Sequence, residues 1–329
     1  MKTDIDLING QILNKIDATK VIKTEVIQSL WSNYGVLYRL ITNSPAHPSV
    51  IVKYIKPPEN LNHPRGWNTS TSHSRKMTSY QVESEFYLQY AHESNKNIKC
   101  QVPKYITSLK HRDEKVLIIQ DLNQIGYEAR KNKLSISEAR VCISWLANFH
   151  ATFLDLKPNN LWPVGTYWHL NTRTEELENI KDKHIRELAP LINHKLCSTS
   201  FKTLVHGDAK VANFCFSQDL SRTAAVDFQY VGTGNGMMDL TYFMSSIFTE
   251  NECEKYEHEI LNLYFEEIKL ALIKQNKKTD MKKLETEWRE IYPYAWADLH
   301  RFLLGWNPDH WKINRYTQKM IDLVRIELS

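Results

Sequence analysis

Residues 204–243, LVHGDAKVANFCFSQDLSRTAAVDFQYVGTGNGMMDLTYF, set short apolar runs between polar residues of a particular kind. Phe214-Cys215-Phe216 and Ala224-Ala225-Val226 are separated by a polar segment suited to a turn, which predicts a hairpin. Asp208, Asn213 and Asp227 stand at its ends, and Asp239 follows. One carboxylate able to accept a proton, then an amide and a second carboxylate able to hold magnesium, is the set that phosphoryl transfer from ATP requires.

Upstream, Val50-Ile51-Val52-Lys53-Tyr54-Ile55 predicts a strand interrupted by a single lysine. A charge inside such a run is costly unless it faces a cleft or reaches an edge. Two strands, around 26–31 and 36–41, precede it and flank Ser32-Asn33-Tyr34-Gly35. A strand pair at 104–109 and 115–120 follows it. Between them Val82, Phe86, Tyr87 and Tyr90 recur at helical spacing over 80–91. Residues 1–20 read as a polar lead-in with room for one short helix. Residues 56–78, with Pro57, Pro58 and Pro64, read as a long loop.

Beyond Asp121 the pattern turns helical. Ser135-x-x-Glu138 has the form of a capping box, opening a helix that carries Cys142, Trp145, Leu146, Phe149 and Phe153 on one face. Thr172-x-x-Glu175 marks a second start, for a helix to about Leu188. Helices near 253–274, 281–303 and 310–328 complete the chain, with Lys274 to Lys283 as a solvated linker. The sum is an α+β arrangement of two lobes with a cleft between them. Residues 1–121 form an N-terminal antiparallel sheet lobe with one inserted helix, and residues 122–329 a larger helical C-terminal lobe.

Composition narrows the function classes. The 42 Lys+Arg exceed the 38 Asp+Glu by only +4, too little to make nucleic acid the main partner. No apolar stretch is long enough to span a bilayer, so no membrane partner is expected. Cys100, Cys142, Cys197, Cys215 and Cys253 lack metal-site spacing and read as reduced packing residues. Together with an N-terminus that lacks a signal-peptide pattern, they point to a cytoplasmic protein.

The motif His206-Gly207-Asp208-x-x-x-x-Asn213, with Asp227-Phe228-Gln229 after it and Leu146-Ala147-Asn148-Phe149-His150-Ala151 before it, carries a resemblance. It resembles the protein-kinase-like superfamily of small-molecule kinases: aminoglycoside phosphotransferases, choline kinases and ecdysteroid kinase-like proteins. The order of elements agrees over roughly 25–250, and the last 80 residues match only in being helical. The resemblance implies a two-lobed protein-kinase-like fold, ATP and Mg2+ as cofactors, and transfer of the γ-phosphate to a hydroxyl of a small-molecule acceptor.

It also implies roles. Asp208 would be the catalytic base, Lys210 would contact the transferring phosphate, and Asn213 and Asp227 would hold the metal. Lys53 would pair with the ATP phosphates and with an acid on the following helix. Glu83 fits the family's Glu-x-x-Phe-Tyr pattern better than Glu85. Asn33, Tyr34 and Gly35 would cover the phosphates, with one glycine where protein kinases have three. Gln120-Asp121-Leu122 would join the lobes, the backbone of Gln120 and Leu122 meeting the adenine, with Gln120 where relatives often have Glu. Asp239 would brace the catalytic loop, through His206 or its backbone, or cap the helix that follows it.

For the acceptor, Trp288, Tyr292, Tyr294, Trp296, Trp306 and Trp311 accompany Glu290, Asp298 and Asp309. Aromatic faces beside carboxylates suit a quaternary ammonium, and aromatic residues at helical spacing suit a packed core equally. Residues 162–169 offer a second aromatic wall. Two alternatives stand beside the small-molecule kinase: a catalytically silent nucleotide-binding scaffold of the same fold, and a protein kinase. The presence of Lys53, Glu83, Asp208, Asn213 and Asp227 argues against silence. Gly207 in place of Arg, and Gln229 in place of Gly, argue against a protein acceptor.

Overall fold

The computed structural model describes residues 2–58, 70–111 and 113–328. Five strands, β1 (Val21–Ser29), β2 (Gly35–Thr42), β3 (Ser49–Ile55), β4 (Tyr105–His111) and β5 (Glu114–Gln120), form one sheet in the order β1-β2-β3-β5-β4. Every neighbouring pair is antiparallel. Successive side chains on a strand point to opposite faces, and that parity sorts the sheet. Val36, Tyr38, Leu40, Val50, Val52, Tyr54, Val116 and Ile118 bury one face against α1 (Lys2–Lys15), through Ile8 and Ile12, and against Ile16 just after it. The polar lead-in is therefore a helix with an apolar stripe, and it closes the outer side of the sheet. Lys53 belongs to the other parity, in register between Leu37 and Leu117. Its strand position alone turns it inward.

Helix α2 (Ser70–Gln89) follows β3, with the short α3 (Ala91–Asn95) after it. Residues 70–78, expected as part of a loop, are the first turns of α2; residues 59–69 of that expected loop lie outside the described residues. The early turns show no apolar stripe because they cross to the helical lobe through polar contacts. Arg75 donates to the Thr172 carbonyl at 2.7 Å, and the Ser79 hydroxyl donates to Gln229 at 3.1 Å. Hydrophobic periodicity reports burial against apolar neighbours, so it is blind to such turns.

The helical lobe begins with α4 (Ile136–Thr152), whose Ser135 and Glu138 form both bonds of the capping box. The helix expected from Thr172 to Leu188 is instead broken in two. A 3-10 turn at Leu170–Thr172 leads into α5 (Thr174–Glu178), and α6 (Lys183–Cys197) restarts with Asp182 capping His184 and Ile185. Thr172 spends its hydroxyl on the His169 carbonyl at 2.9 Å, so its box never forms. Two small ladders, β6 (Thr203–Val205) with β9 (Gly232–Gly234) and β7 (Phe214–Phe216) with β8 (Thr223–Ala225), carry the loops of the 204–243 stretch.

Helices α7 (Gly236–Ile247), α8 (Glu250–Lys274), α9 (Met281–Trp306) and α10 (Arg315–Leu328) complete the fold. The lysine-rich link between α8 and α9 is more than a solvated connection. The Lys277 ammonium donates to the carbonyls of Thr152 and Leu154 at 2.8 and 3.1 Å, tying it to the end of α4. Helix α9 runs through the core, and Trp288, Tyr292, Tyr294 and Trp296 are all buried there. Trp288 donates to the Phe201 carbonyl, Tyr292 bonds Tyr316, and Asp298 pairs with Arg301 at 2.6 Å. Glu290 and Asp309 are exposed. These four aromatics are packing, Trp306 is half-buried and Trp311 exposed, and the expected acids are spent elsewhere or face outward, so the six do not gather as a cation cage.

Candidate active site

An aromatic column joins α2 to the two loops that carry the acids. Phe228 stacks on Phe86 at 3.8 Å and lies 4.5 Å from the His206 ring, while Trp145 stacks on Phe149 beside them. Glu83 sits one turn before Phe86, so this packing delivers its carboxylate to Lys53. Lys53 Nζ lies 2.6 Å from Glu83 Oε2 and 3.1 Å from Asp227 Oδ1. Lys53 is 6% exposed and Glu83 2%. Burial alone would lower the Lys53 ammonium, but Asp227 and Glu83 outweigh it and hold the group above its usual range. Burial pushes the Glu83 carboxyl up to about 7, against the pull of Lys53. For Asp227 the order reverses: burial is outweighed by Lys53 and Lys210, and the carboxyl stays well below its usual range. Glu85 instead bonds Gln81 and Gln89 along the helix surface.

The loop around Asp208 is held from beneath. Gly207 has φ +79°, and a Cβ there would meet the Tyr230 carbonyl oxygen at 2.1 Å, so only glycine fits. Asp239, in the first turn of α7, accepts the backbone N–H of His206 at 2.6 Å and of Gly207 at 2.9 Å. His150 Nε2 lies 3.1 Å from the same carboxylate, and its Nδ1 meets the Tyr264 hydroxyl. Asp239 thus braces the loop through its backbone and does not cap α7. The His206 ring accepts the Asp208 N–H at Nδ1 and donates from Nε2 to the Val226 carbonyl, linking the two acid-bearing loops. Asp239→Ala would strand two buried backbone donors and a buried imidazole, and is expected to cost about 3 kcal/mol of stability in urea unfolding. A loss under about 1 kcal/mol would show that the loop does not depend on this carboxylate.

Asp208 is asymmetric. Its Oδ2 accepts from Lys210 Nζ at 2.9 Å and from Asn213 Nδ2 at 3.0 Å, and the same amide nitrogen reaches the Asp208 carbonyl at 2.8 Å. Its Oδ1 is buried and makes no hydrogen bond, with the Tyr242 hydroxyl close by: burial, and after it Tyr167 and this carboxylate, hold that phenol well above its usual range. Asp208 holds the Lys210 ammonium above its usual range. Because the Asn213 NH2 is spent on Asp208, its amide oxygen is left as the group for the cleft. Asp227 gives Oδ1 to Lys53 and to Gln229 Nε2 at 2.6 Å, which leaves Oδ2. Its backbone sits at φ +69°, in the left-handed region that few non-glycine residues occupy, Asp and Asn more readily than most.

The turn at 31–35 is more self-contained than its sequence suggests. Gly35, at φ +134°, lets the chain pass against the Tyr54 carbonyl, where a Cβ would stand 2.0 Å away. The Asn33 amide donates to the Leu30 carbonyl at 3.1 Å and the Tyr34 amide reaches toward Trp31 at 3.5 Å. At least the Asn33 N–H is therefore spent inside the turn. The Tyr34 hydroxyl bonds His73. Gln120 closes the sheet onto Lys104, and Asp121 is locked by Arg39 and Ser49, each at 2.6 Å.

Lys53, Glu83, Asp208, Lys210, Asn213 and Asp227 line one cleft of about 870 Å³, as do Asn33, Tyr34, Gln120 and Leu122, whereas Gly35 and the bracing Asp239 do not; the volume is within the range of small-molecule sites. Leu37, Ile51, Ile119, Leu122 and Val226 give it an apolar wall, and Tyr167, Tyr230, Tyr242 and Trp306 an aromatic one. Of the wall expected at 162–169, Tyr167 faces the cleft, Trp168 is buried and Trp162 donates to the Gln229 carbonyl. Sequence reading gave no role of its own to His150, which lies within the quoted 146–151 segment, and passed over Tyr242, Arg75, Arg173 and Lys312. Lone residues on separate elements form no motif, and only the fold collects them.

A family model described as the ecdysteroid kinase-like family matches residues 42–160 and 164–277. No curated protein matches the chain by sequence. Among solved structures, the choline kinase of Streptococcus pneumoniae is similar at 15% identity and TM-score 0.50, covering 97% of this chain and 98% of that one. The Plasmodium vivax ethanolamine kinase stands at 13% and 0.49, covering 94% and 83%. The macrolide 2'-phosphotransferase of Brachybacterium faecium stands at 12% and 0.48, covering 93% and 99%. At such identity the choline kinase speaks for the fold alone. No described helix is long and apolar enough to cross a membrane.

Proposed function

This chain belongs to the ecdysteroid kinase-like family of small-molecule kinases, and from that premise we propose that it moves the γ-phosphate of ATP to a hydroxyl of a small molecule. One observation carries the reading. Asp208 lines the cleft with one carboxylate oxygen, Oδ1, buried and without a hydrogen-bond partner, while Oδ2 is anchored by Lys210 and Asn213. A buried acceptor left unmade is costly, and a substrate hydroxyl would satisfy it.

In this reading the hydroxyl donates to Oδ1, and its oxygen attacks the γ-phosphorus as the bond to the β-phosphate oxygen breaks. ADP leaves and the hydroxyl proton passes to Asp208. Lys210, bound to Asp208, stands where charge develops on the transferred group. Lys53, fixed by Glu83, presents its ammonium to the nucleotide phosphates. The apolar wall from Leu37 to Val226 takes the adenine, with residues up to Asp121 forming the nucleotide lobe and those beyond it the acceptor lobe. The Gln120 and Leu122 backbone and the 33–35 turn border that nucleotide site.

Asn213 Oδ1 and Asp227 Oδ2 are the oxygens suited to magnesium. Among the described residues no cluster of three or more His, Cys, Asp or Glu gathers as a metal site. Two protein oxygens fit an ion that draws its other ligands from phosphates and water. When bound, magnesium would neutralise charge on the phosphates.

ADP release measured with magnesium and a panel of hydroxylated metabolites (choline, ethanolamine, sugars, aminoglycosides, sterols) is expected to rise with at least one acceptor. Nucleotide turnover that no acceptor stimulates would favour the silent nucleotide-binding alternative. Asp227→Ala is expected to abolish the extra thermal stabilisation that magnesium adds to ATP. An unchanged magnesium response would remove Asp227 from the metal site.

A further inference from the structure

Lys312, between α9 and α10, lines the cleft and is only 8% exposed. Its Nζ donates to the Ser245 hydroxyl at 3.0 Å and lies 4.5 Å over the Tyr242 ring. It has no ion-pair partner among the described residues. A buried ammonium without a counter-ion is costly, and such groups are ordinarily paired. Burial pushes this one down to about 8, and the nearby Asp208 only partly offsets it.

Nearby charge points the same way. Arg75 donates to two neutral oxygens, the Thr172 carbonyl and the Ser72 hydroxyl, and feels repulsion from Arg173. The carboxylates lining the cleft among the described residues are Glu83, Asp121, Asp208 and Asp227. Each already holds a cation: Lys53, Arg39, Lys210 and Lys53 again. No unspent carboxylate awaits an ammonium. Tyr167, half-buried and lining the cleft, packs edge to face at 5.5 Å on the more deeply buried Tyr242, and both rings feel the Asp208 carboxylate.

We infer that the acceptor carries, besides its hydroxyl, an anionic group such as a carboxylate that docks on Lys312, and an apolar body that rests on the Tyr167–Tyr242 wall. This rests on the phosphotransferase reading and excludes cationic acceptors as the preferred class.

A matched probe series tests it: 4-(hydroxymethyl)benzoate, 4-(hydroxymethyl)benzamide and 4-(hydroxymethyl)benzylamine, each titrated calorimetrically against the full chain with MgADP. The benzoate is expected to bind at least about tenfold more tightly than the amide, with the amine weakest; this is the scale of one charge-assisted contact. Lys312→Met is expected to bring the benzoate to the level of the amide, and Lys312→Arg to retain the preference. Lys312→Met should also melt no lower than the native chain, since an apolar side chain of similar volume replaces an uncompensated cation. Tightest binding of the amine, equal binding of the three, no binding of any, or a preference that survives Lys312→Met would each overturn the inference. The MgADP titration separates the two failures. A protein that binds no MgADP undoes the phosphotransferase reading and this inference with it, whereas one that binds MgADP but ignores probe charge undoes this inference alone.

Discussion

Asp208→Asn is expected to lower kcat for phosphoryl transfer by about a thousandfold, within the span that a positioned general base contributes. The side chain keeps its size and most of its contacts. Lys210 and Asn213 both donate to Oδ2, so the carbonyl oxygen of the new amide will turn to them. Its NH2 is then forced into the place of Oδ1 and presents a donor where the substrate hydroxyl needs an acceptor. Binding of ATP should change little, because Lys53, Glu83 and Asp227 are untouched. ADP release with a working acceptor, read beside urea unfolding, checks this. Full turnover in the variant would sink the assignment of Asp208 as the base.

Lys53→Met carries the largest expected effect on stability, about 3–5 kcal/mol at pH 8, the cost of removing one partner from a buried ion pair. Glu83 would remain in place, 2% exposed and without its cation. Its carboxyl is already raised to about 7 by burial while Lys53 pulls it down, so without Lys53 it rises further. The unfolded value is 4.5. Between 4.5 and the folded value the folded state holds a proton that the unfolded state has released, so stability falls as pH rises across that window. The penalty should therefore shrink as pH is lowered from 8 to 5, where Glu83 is protonated and buried at little cost. Urea unfolding of both proteins at pH 5, 6.5 and 8 reads this out. A penalty equal at all three pH values would show that Glu83 is not the acid left behind.

Some features were legible because they are local. The parity of β3 places Lys53 on the face opposite Val52 and Tyr54 whatever else the chain does, and a single charge in an apolar strand announces a group that must face a cleft or reach an edge. Ser135 and Glu138 form their capping box within four consecutive residues, so nothing distant can undo it. Thr172 and Glu175 have the same spelling and fail. There Arg173 reaches the Tyr167 carbonyl and Glu176, and the Thr172 hydroxyl turns back to His169. The first turns of α2 were illegible for a related reason: they are held by polar contacts to Thr172 and Gln229 rather than by an apolar stripe. The aromatics of α9 read the same whether they line a pocket or a core. Packing between α6, α7 and α10 made them core.

Written as a string, the chain already dictated an α+β fold and the order in which Lys53, Glu83, Asp208, Asn213 and Asp227 occur. Periodicity and spacing are properties of neighbours, and they survive without a third dimension. Packing settled the rest: that these five side chains line one cleft, that Asp208 keeps one oxygen unpaired, and that Lys312 is buried there without a counter-ion. Burial and charge compensation are sums over groups far apart in sequence, as Lys53 and Asp227, 174 positions apart, illustrate. Neither can be computed until the fold has brought those groups together.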